Sequence, residues 1–467
     1  MLGNNRITQN QIASGFYTLN QVRRTGLMIF SAPFNAHDGL GDGPIDPFNP
    51  DKTSPGNRPT LANNGTVMRM NGLDSQACLE CHNILSTSTI PATLGIGGVG
   101  GIAAVAMPGP TDVDLDDSDN NGFASYNGRL INPPFVFGAG GVELVGKEMT
   151  EDLQIQKALA LATPDTPIPL TSHGVSFGTI LFDSGQNDFD YSGVDGVDND
   201  LVVKPFGRKG NNSSVRKFDI GAIAFHQGMQ PEEIVDDMDG DGAADPGVDN
   251  DADGDGVVNE ITPGELSALH IFSVTSDRPR AKRNLNQTEL DGRAVFSSAG
   301  CASCHVPTII TRSRFLNLSY PEVETDPSAN NFYSINLTAP PMKFSAVAGK
   351  GVRVPMFSDL KRHDMGPGLA ETTGDPLDPF FITPRLWGIA DTAPYMHDGR
   401  ALTLTDAIMA HGGDAQFAKD NFVNIGPSMK IALLTYLRTL RTPKNPFADL
   451  ANQGTGGPFN DIQVLPR

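Results

Sequence analysis

The sequence lacks long apolar runs. No stretch of the 467-residue chain contains 18 or more consecutive apolar residues. A helix needs about 20 such residues to cross the hydrocarbon core of a bilayer, so the sequence predicts no transmembrane helix. The chain opens with the polar segment Met-Leu-Gly-Asn-Asn-Arg-Ile-Thr-Gln-Asn, which does not have the pattern of a signal peptide.

Positive charge is also scarce. The chain has 34 Lys and Arg against 54 Asp and Glu, for a formal net charge of −20. This balance argues against binding to nucleic acids or to anionic membrane surfaces, and it favours a basic partner. Aromatic residues make up only 7% of the chain, whereas Gly (51) and Pro (35) are abundant. Long ordered loops are therefore expected between the secondary-structure elements.

Cysteine is rare, and its placement is specific. The chain has four cysteines, and all of them fall in two stretches, Cys78-Leu79-Glu80-Cys81-His82 and Cys301-Ala302-Ser303-Cys304-His305. Both read C-x-x-C-H, the attachment signature of c-type haem. Cysteines three apart lie on one face of a helical turn, where both can bond to one haem, and the histidine can bind the iron. We therefore expect two covalent c-type haems.

Other uses of paired cysteines stay open at this point. Two C-x-x-C pairs can ligate one zinc ion through four thiolates, and a single pair can form a disulfide or a thioredoxin-like redox motif. None of these explains a histidine directly after both pairs.

The length and an internal repeat predict two domains. Each half contains a helix, a haem motif, a long loop and a Pro-x-apolar-Gly segment, such as Pro133 to Gly138 and Pro384 to Gly388. We expect a mainly α fold with long loops, built from two cytochrome-c-like domains that each bind one covalent haem. The boundaries are 1–262 and 263–467, the latter ending in a Pro/Gly-rich tail. Helices are predicted at 8–30, 263–275 and 427–441.

Acidic loops carry the spacing of calcium sites. In 249–260, Asp251, Asp253 and Asp255 alternate before a glycine, as in a loop of EF-hand type, and Glu260 substitutes for the terminal acidic ligand. A second loop places three more acids in the same alternation: Asp237, Asp239 and Asp241. The alternative is a solvated acidic linker.

Several segments of the second half resemble a known superfamily. They are Thr383-Pro384-Arg385-Leu386-Trp387-Gly388, Thr392-Ala393-Pro394-Tyr395-Met396-His397-Asp398-Gly399-Arg400 and His411-Gly412-Gly413. Together with both haem motifs, they resemble the bacterial di-haem cytochrome c peroxidases and the related methylamine dehydrogenase maturation enzyme. The resemblance is closest to the branch of di-haem oxidoreductases that is also named thiol oxidoreductases. No cysteine outside the haem motifs supports that second name.

The resemblance implies that the C-terminal haem transfers electrons. In the peroxidases its distal ligand is a methionine fourteen residues after the histidine of the His-Asp-Gly motif. Counting fourteen residues from His397 leads to His411, so the predicted ligands of the second haem iron are His305 and His411. Met396 is the rival ligand, and His411 capping a helix end is the alternative role. The resemblance also implies a calcium ion between the haems, bound by the carbonyls of Thr392 and Pro394.

The N-terminal haem is the peroxidatic one in the superfamily, where a nearby glutamate moves protons between the peroxide oxygens. Glu143 is the matching position, and we expect burial to raise its pKa towards a catalytic range. His226, or else His173, could close the iron of this haem, whose attached ligand is His82. The superfamily commonly places a tryptophan between its haems, but the one tryptophan here is Trp387, which we interpret as core packing against the second haem.

The predicted function is an exported di-haem c-type oxidoreductase that reduces hydrogen peroxide at the N-terminal haem with electrons relayed through the C-terminal haem. The alternatives are peroxide-dependent oxidation of a protein or organic substrate through a high-valent di-haem state, and a non-catalytic di-haem electron carrier. Export, to the periplasm or beyond, follows because c-type haem is attached outside the bacterial cytoplasm, so a signal peptide is expected to have been removed. The expected partner is a small redox protein that donates or accepts electrons. Nucleic acid is not expected, and a homodimer is left open.

Overall fold

The structure is a computed structural model, and it describes residues 6–31, 33–41, 68–69, 72–73, 77–82, 109–114, 125–129, 132–134, 136–235, 251, 254–371, 374–444 and 446–451. Within these residues the helices are α1 (Gln9–Ala13), α2 (Leu19–Ser31), α3 (Cys78–Cys81), α4 (Ala139–Ala162), α5 (Val215–Ala222), α6 (Glu232–Val235), α7 (Pro263–Val274), α8 (Gln287–Ser298), α9 (Leu404–Ala410), α10 (Gln416–Asn424), α11 (Pro427–Leu437) and α12 (Ala448–Ala451). The π-helical turn Ile223–Gln227 follows α5, and 3₁₀ turns occupy Ala36–Asp38, Cys301–Ser303, Ile389–Asp391 and Gly413–Ala415.

The strands are short and form separate antiparallel sheets. They are β1 (Met68–Arg69), β2 (Gly72–Leu73), β3 (Gly109–Asp114), β4 (Ser125–Arg129), β5 (Ile168–Ser172), β6 (Val175–Asp183), β7 (Asp188–Asp190), β8 (Arg280–Ala281), β9 (Ile309–Ile310), β10 (Phe315–Ser319), β11 (Asn331–Asn336), β12 (Ser345–Ala346), β13 (Val352–Val354), β14 (Arg362–Asp364), β15 (Phe380–Ile382) and β16 (Leu440–Arg441). The three-stranded sheets have the orders β5-β6-β7 and β12-β13-β9. The fold therefore mixes helix and sheet and is not mainly α, because many of the expected loops pair as hairpins.

A glycine allows each of two helix pairs to cross at close range. A Cβ atom on Gly26 of α2 would lie 2.1 Å from the carbonyl oxygen of Ala268 in α7. A Cβ atom on Gly292 of α8 would lie 2.0 Å from the carbonyl oxygen of Ala432 in α11. Phe272 and Tyr436, each four positions after one of these alanines, are aromatic and lie close to the same glycine. The pairs α2–α7 and α8–α11 are therefore equivalent, which supports the predicted duplication.

This equivalence concerns the helix next to the predicted domain boundary, which stays a prediction. The expected boundary assigns 263–274 to the second domain, and α7 packs against α2 as α11 packs against α8. The larger hydrophobic core combines α2, α4 and α7 with residues as far along the chain as Leu450. A smaller core is formed by α8 and α11 together with Phe357 and Ile389. Helix α7 thus belongs to the same core as α2, because it packs closely against Gly26.

Two predicted helices are shorter than expected. The segment 8–30 breaks into α1 and α2 around Gly15, whose φ of +71° is incompatible with a continuing helix. The segment 427–441 ends its helix at Leu437, after which β16 pairs with β8. None of the helices in the described part of the chain has both the length and the apolar content needed to span a bilayer.

Candidate di-haem site

The second haem motif follows directly from α8. Gly300 adopts φ +92°, which ends the helix and begins the 3₁₀ turn of Cys301–Ser303. The amide of His305 then donates to the carbonyl of Cys301 at 3.0 Å. The packing of α8 against α11 therefore determines where Cys301, Cys304 and His305 lie.

The rings of His305 and His411 lie close together. Their ring centroids are 6.3 Å apart and the ring planes are inclined by 62°. Two imidazole nitrogens on opposite sides of one metal ion, each about 2 Å from it, place the ring centroids about 6.3 Å apart. The observed separation therefore fits an iron atom held between the two rings.

Backbone carbonyls orient both rings. Nδ1 of His305 is hydrogen-bonded to the Phe357 carbonyl at 3.1 Å, and Nδ1 of His411 to the Ala407 carbonyl at 2.7 Å. Such bonds place the proton on Nδ1 and leave Nε2 available to a metal. His411 is also the residue that ends α9, so the helix-end role and the ligand role coincide. His411 therefore has a ring nitrogen available beside His305, while its role as iron ligand, with Met396 as the rival, stays a prediction.

Burial keeps these imidazoles in the neutral form that binds metals. Burial first, and the neighbouring His411 second, lower the pKa of His305 to about 4. Burial also lowers the pKa of His411. The Cys301 thiol behaves in the opposite way, since burial raises its pKa to about 11. A protonated thiol is a poor zinc ligand, and among the described side chains Cys78 does not cluster with Cys301 or Cys304.

The first haem motif forms α3 and the residue after it. Nδ1 of His82 is hydrogen-bonded to the Pro134 carbonyl at 2.7 Å, and burial lowers the pKa of His82. His82 therefore has the same tautomer and the same available Nε2 as His305. The side chain of Cys81 lies outside the described residues, whereas Cys78 Sγ is 3.9 Å from Nε2 of Gln227.

The segment after α5 lies beside this first motif. The ring of Phe218 in α5 meets the ring of His82 edge-on, with centroids 6.1 Å apart. Gln227 belongs to the π-helical turn, a form often found at functional sites. His226 precedes it, but its side chain lies outside the described residues. The other predicted candidate, His173, has its Nε2 3.0 Å from Oε2 of Glu148, so its side chain is engaged there.

Glu143 is fully buried in the first turns of α4. Its Oε2 accepts the amide of Val215 at 3.0 Å, at the N-terminus of α5, and lies 2.8 Å from Nε2 of His270. Its Oε1 lies 3.1 Å from Nζ of Lys147. The sequence did not indicate His270 or Lys147 as partners, although Lys147 is four residues from Glu143 on the same helix.

The pKa of Glu143 differs from the expectation. Burial raises it, but His270, Lys147 and the hydrogen bond from Val215 outweigh burial and hold the pKa at about 2. Glu143 is therefore ionised at neutral pH. It can accept a proton or stabilise a positive charge there, but it does not itself store a proton.

This ionisation predicts a pH-dependent stability. Because the folded pKa lies below the usual 4.5, the stabilisation is complete above about pH 4.5 and is lost as the pH falls towards 2. Glu143→Gln should lower the free energy of unfolding by a few kcal/mol at pH 7, and by much less at pH 3. Thermal unfolding at both pH values measures this. Glu151→Gln, at an exposed ion pair with Arg312, should change little, and an equal loss for Glu143→Gln at both pH values would contradict the assignment.

The sequence matches the family described as "Di-haem oxidoreductase, putative peroxidase" over residues 140–440, which is more than half of the 467 residues. The chain belongs to the di-haem oxidoreductase family. Membership implies an oxidoreductase with two haem cofactors. The matched segment contains the second C-x-x-C-H motif and His411, whereas the first motif precedes it.

Similarity between this di-haem oxidoreductase and solved structures is low. Kuenenia stuttgartiensis hydrazine synthase has 16% identity and a TM-score of 0.27, over 49% of this chain and 62% of that chain. A MauG-like protein associated with microbial copper homeostasis has 19% identity and a TM-score of 0.24, over 41% of this chain and 57% of that chain. The chain thus spans less than two thirds of either protein. No curated protein sequence matches it.

Asn132 links the two halves of the di-haem oxidoreductase. Its side-chain amide lies 2.8 Å from the carbonyl oxygen of Pro394 and 3.0 Å from that of Met396. Its backbone amide donates to the His397 carbonyl at 2.8 Å. The resemblance implied that the carbonyl of Pro394 binds calcium, and Asn132 was not among the predicted ligands. Asn132 directly precedes the Pro-Pro-Phe-Val-Phe-Gly segment, and this position next to a repeated motif was the available signal.

The acidic loops are described only in part. Asp237, Asp239, Asp241 and Asp253 lie outside the described residues. Asp251 accepts the amide of Gly256 at 3.2 Å, and Asp255 accepts that of Val257 at 2.7 Å. Glu260 is buried and accepts the Gln230 amide at 2.6 Å. It therefore bonds to the segment after the π-helical turn.

Trp387 is buried where the two repeats meet. A Cβ atom on Gly138 would lie 2.8 Å from the Trp387 ring, and Gly138 has φ +78°. The tryptophan therefore packs against the first repeat's Pro-x-apolar-Gly segment. The expected packing was against the second haem alone.

Proposed function

We propose that this protein is an exported di-haem c-type oxidoreductase that reduces hydrogen peroxide at the first haem, with electrons arriving through the second. Cys78, Cys81 and His82 would hold the first haem. Cys301, Cys304, His305 and His411 would hold the second. When bound, haem supplies redox-active iron that accepts electrons and activates peroxide.

The observation that carries this proposal is the pair His305–His411. Two imidazoles at a separation that fits one iron atom leave no iron position for a substrate. The second haem is then suited to electron transfer, and the reaction with peroxide falls to the first haem, near Glu143 and α5. The chain's residues contribute neutral imidazoles held by carbonyls, a buried carboxylate and an apolar edge at Phe218.

A non-catalytic electron carrier is the second candidate. His226 belongs to the π-helical turn whose next residue, Gln227, approaches Cys78. If the His226 ring binds the first iron permanently, both irons are six-coordinate and peroxide cannot bind. The two functions differ in whether the first iron has an open position.

Electron paramagnetic resonance of the ferric protein tests this difference. The spectrum is recorded as isolated and again after addition of one electron. We expect a low-spin signal from the His305–His411 haem in the ferric protein and a high-spin ferric signal from the first haem in at least one state, together with peroxide consumption. Two low-spin signals, no high-spin signal in either state and no response to peroxide would favour the electron carrier.

The net charge supports the proposed redox partner, and the chemistry of haem attachment supports the proposed export. A net charge of −20 favours a small redox protein with a basic docking face, because opposite charges speed association at low salt. Covalent haem attachment supports export. Association rates that do not change with salt, or holoprotein confined to the cytoplasm, would contradict these two proposals.

We also propose a calcium ion at Asn132, Thr392 and Pro394. An amide oxygen and backbone carbonyls are hard ligands of the kind calcium prefers, and rotation of the Asn132 amide would present its oxygen to the ion. The Asp251 and Asp255 loop is a second candidate, in which the carboxylates would exchange amide hydrogen bonds for calcium.

Removal of calcium should lower the melting temperature and change the coupling of the two haem spectra. Asn132→Ala should reproduce the spectral change, because it removes the side chain that links the halves, whereas Asp255→Asn should affect only the acidic loop. Thermal melts and haem spectra before and after chelation measure both effects. Identical melts and spectra with and without chelator would exclude a calcium site of importance.

A further inference from the structure

The second haem motif lies beside a histidine from a distant part of the chain. Nδ1 of His363, in β14, is 4.0 Å from Sγ of Cys304. Nε2 of the same ring is 2.8 Å from Oδ2 of Asp359. Side-chain atoms of Cys304, Asp359 and His363 all lie within 4.8 Å of one another. The structure therefore places a thiol, an imidazole and a carboxylate next to one another in that order.

The imidazole and the carboxylate are held in place from behind. Asp359 is 2% exposed, and its Oδ1 accepts the backbone amide of Lys361 at 3.0 Å, while its Oδ2 faces His363. His363 pairs with Phe381 where β14 and β15 run side by side. An imidazole that is oriented by a third group beside a thiol is the arrangement that activates a cysteine. The distance of 4.0 Å is long for a hydrogen bond, but such contacts often shorten when the reaction partner binds.

Two carboxylates face the His363 ring. Asp359 lies at Nε2, and Oδ2 of the exposed Asp414 lies 3.6 Å from Nδ1. Carboxylates this close favour the protonated form of an imidazole. A protonated imidazole in turn favours the thiolate form of a neighbouring cysteine, and the thiolate is the nucleophile. The charges therefore favour transfer of the Cys304 proton to His363.

The other cysteine of the motif has different surroundings. Cys301 does not belong to the group formed by Cys304, Asp359 and His363. It begins the 3₁₀ turn and packs against the smaller hydrophobic core. The two cysteines bond to the same haem in the proposed function, so Cys301 provides an internal comparison for any effect of His363 on Cys304.

We propose that His363 and Asp359 assist the covalent attachment of haem at Cys304, so that the protein contributes to the formation of its own thioether bond. The inference rests on the proposed function, because a haem vinyl group is the reaction partner. The Cys304 sulfur forms a bond to one vinyl carbon, and the proton that the thiol gave to His363 passes to the other vinyl carbon. The C=C bond becomes a single bond, no group leaves, and no electrons are exchanged with another reactant.

Attachment by the purified full-length chain tests this proposal. The chain is produced without haem and mixed with ferrous haem and dithiothreitol, which keeps the thiols reduced. Peptide mass spectrometry then follows the thioether bonds at Cys301 and Cys304 separately. We expect both bonds in the wild type. His363→Gln should slow the bond at Cys304 about 10²-fold, leave the bond at Cys301 unchanged and recover part of the rate with added imidazole. His37→Gln, at an exposed position, should behave as the wild type does.

Equal rates at Cys304 in the wild type and in His363→Gln would overturn the proposal, and so would a purified wild-type chain that forms no bond at Cys304. Retained attachment at Cys301 shows that the motif of a variant is folded. Should His363→Gln lose both bonds, Asp359→Asn and Asp414→Asn take its place, and wild-type rates in both would overturn the proposal.

The exported protein separates this inference from the proposed function. If its second motif carries no covalent haem, the proposed function fails. If that motif carries covalent haem while the purified chain forms no bond at Cys304, only the inference about His363 and Asp359 fails.

Discussion

Replacing His411 by methionine is expected to raise the midpoint potential of the second haem by about 0.1 to 0.3 V, a fraction of the range that axial ligands span. Imidazole stabilises ferric iron better than a thioether does, and the 6.3 Å separation of the His305 and His411 rings fits the proposed ligation of the second haem iron by both. Potentiometric titration of the holoprotein, followed by the absorption of each haem, measures the change.

Two further variants make this prediction specific. His411→Ala should open the iron position, so that a high-spin signal appears and added imidazole restores the low-spin one. Met409→Leu, two residues away and 42% exposed, should leave both potentials unchanged. If His411→Met and His411→Ala leave the second haem low-spin at its original potential, Met396 or another residue is the ligand.

Replacing Gly292 by alanine should destabilise the second unit by about 3 kcal/mol or more. The new Cβ atom would lie 2.0 Å from the backbone oxygen of Ala432 and 2.8 Å from Cβ of Tyr436. Backbone cannot move aside as a flexible side chain does, so α8 and α11 must separate. Because α8 leads directly into Gly300 and Cys301, the second haem motif should shift as well. Thermal unfolding, with the absorption of each haem as the probe, measures the loss.

The matched control is Gly221→Ala in α5. A Cβ atom there meets no atom within 4 Å, so the substitution should stabilise the helix by up to about 1 kcal/mol. Gly26→Ala should repeat the Gly292 effect in the first unit, since its Cβ atom would lie 2.1 Å from the Ala268 oxygen. Equal stability of Gly292→Ala and Gly221→Ala would mean that the two helices do not cross as closely as the structure has them.

The two haem motifs and their histidines could be proposed from the sequence because they depend on neighbouring residues, and covalent attachment stays a prediction. Two cysteines and a histidine within five positions need only one helical turn to act together. The prediction of His411 needed more, because it depended on counting residues along a family pattern. The structure places its ring next to that of His305. The structure is consistent with this count. His411 directly follows α9, where its Nδ1 can bond to the preceding turn while Nε2 stays available to a metal.

The junction between the units stays a prediction, but the pairing of α7 with α2 was not foreseen from the sequence. The sequence contains Ala268-Leu269 followed by Phe272, and Ala432-Leu433 followed by Tyr436, which is the signal of two equivalent closing helices. An acidic segment just before residue 263 suggested a linker instead. The short strands were missed because segments of two to six residues carry little periodicity.

The sequence by itself indicated two haem cofactors, because it has two C-x-x-C-H motifs, and it indicated a duplication through the repeated motif and the repeated Pro-x-apolar-Gly segment. Only the tertiary structure decided the state of the buried acids. Glu143 and Asp219 are both buried carboxyls, yet Glu143 is ionised beside Lys147, His270 and the N-terminus of α5, whereas Asp219 has an oxygen without a partner and faces the negative charge of Glu143. A pKa depends on charges within a few ångströms, and the residues that supply them are distant in the sequence.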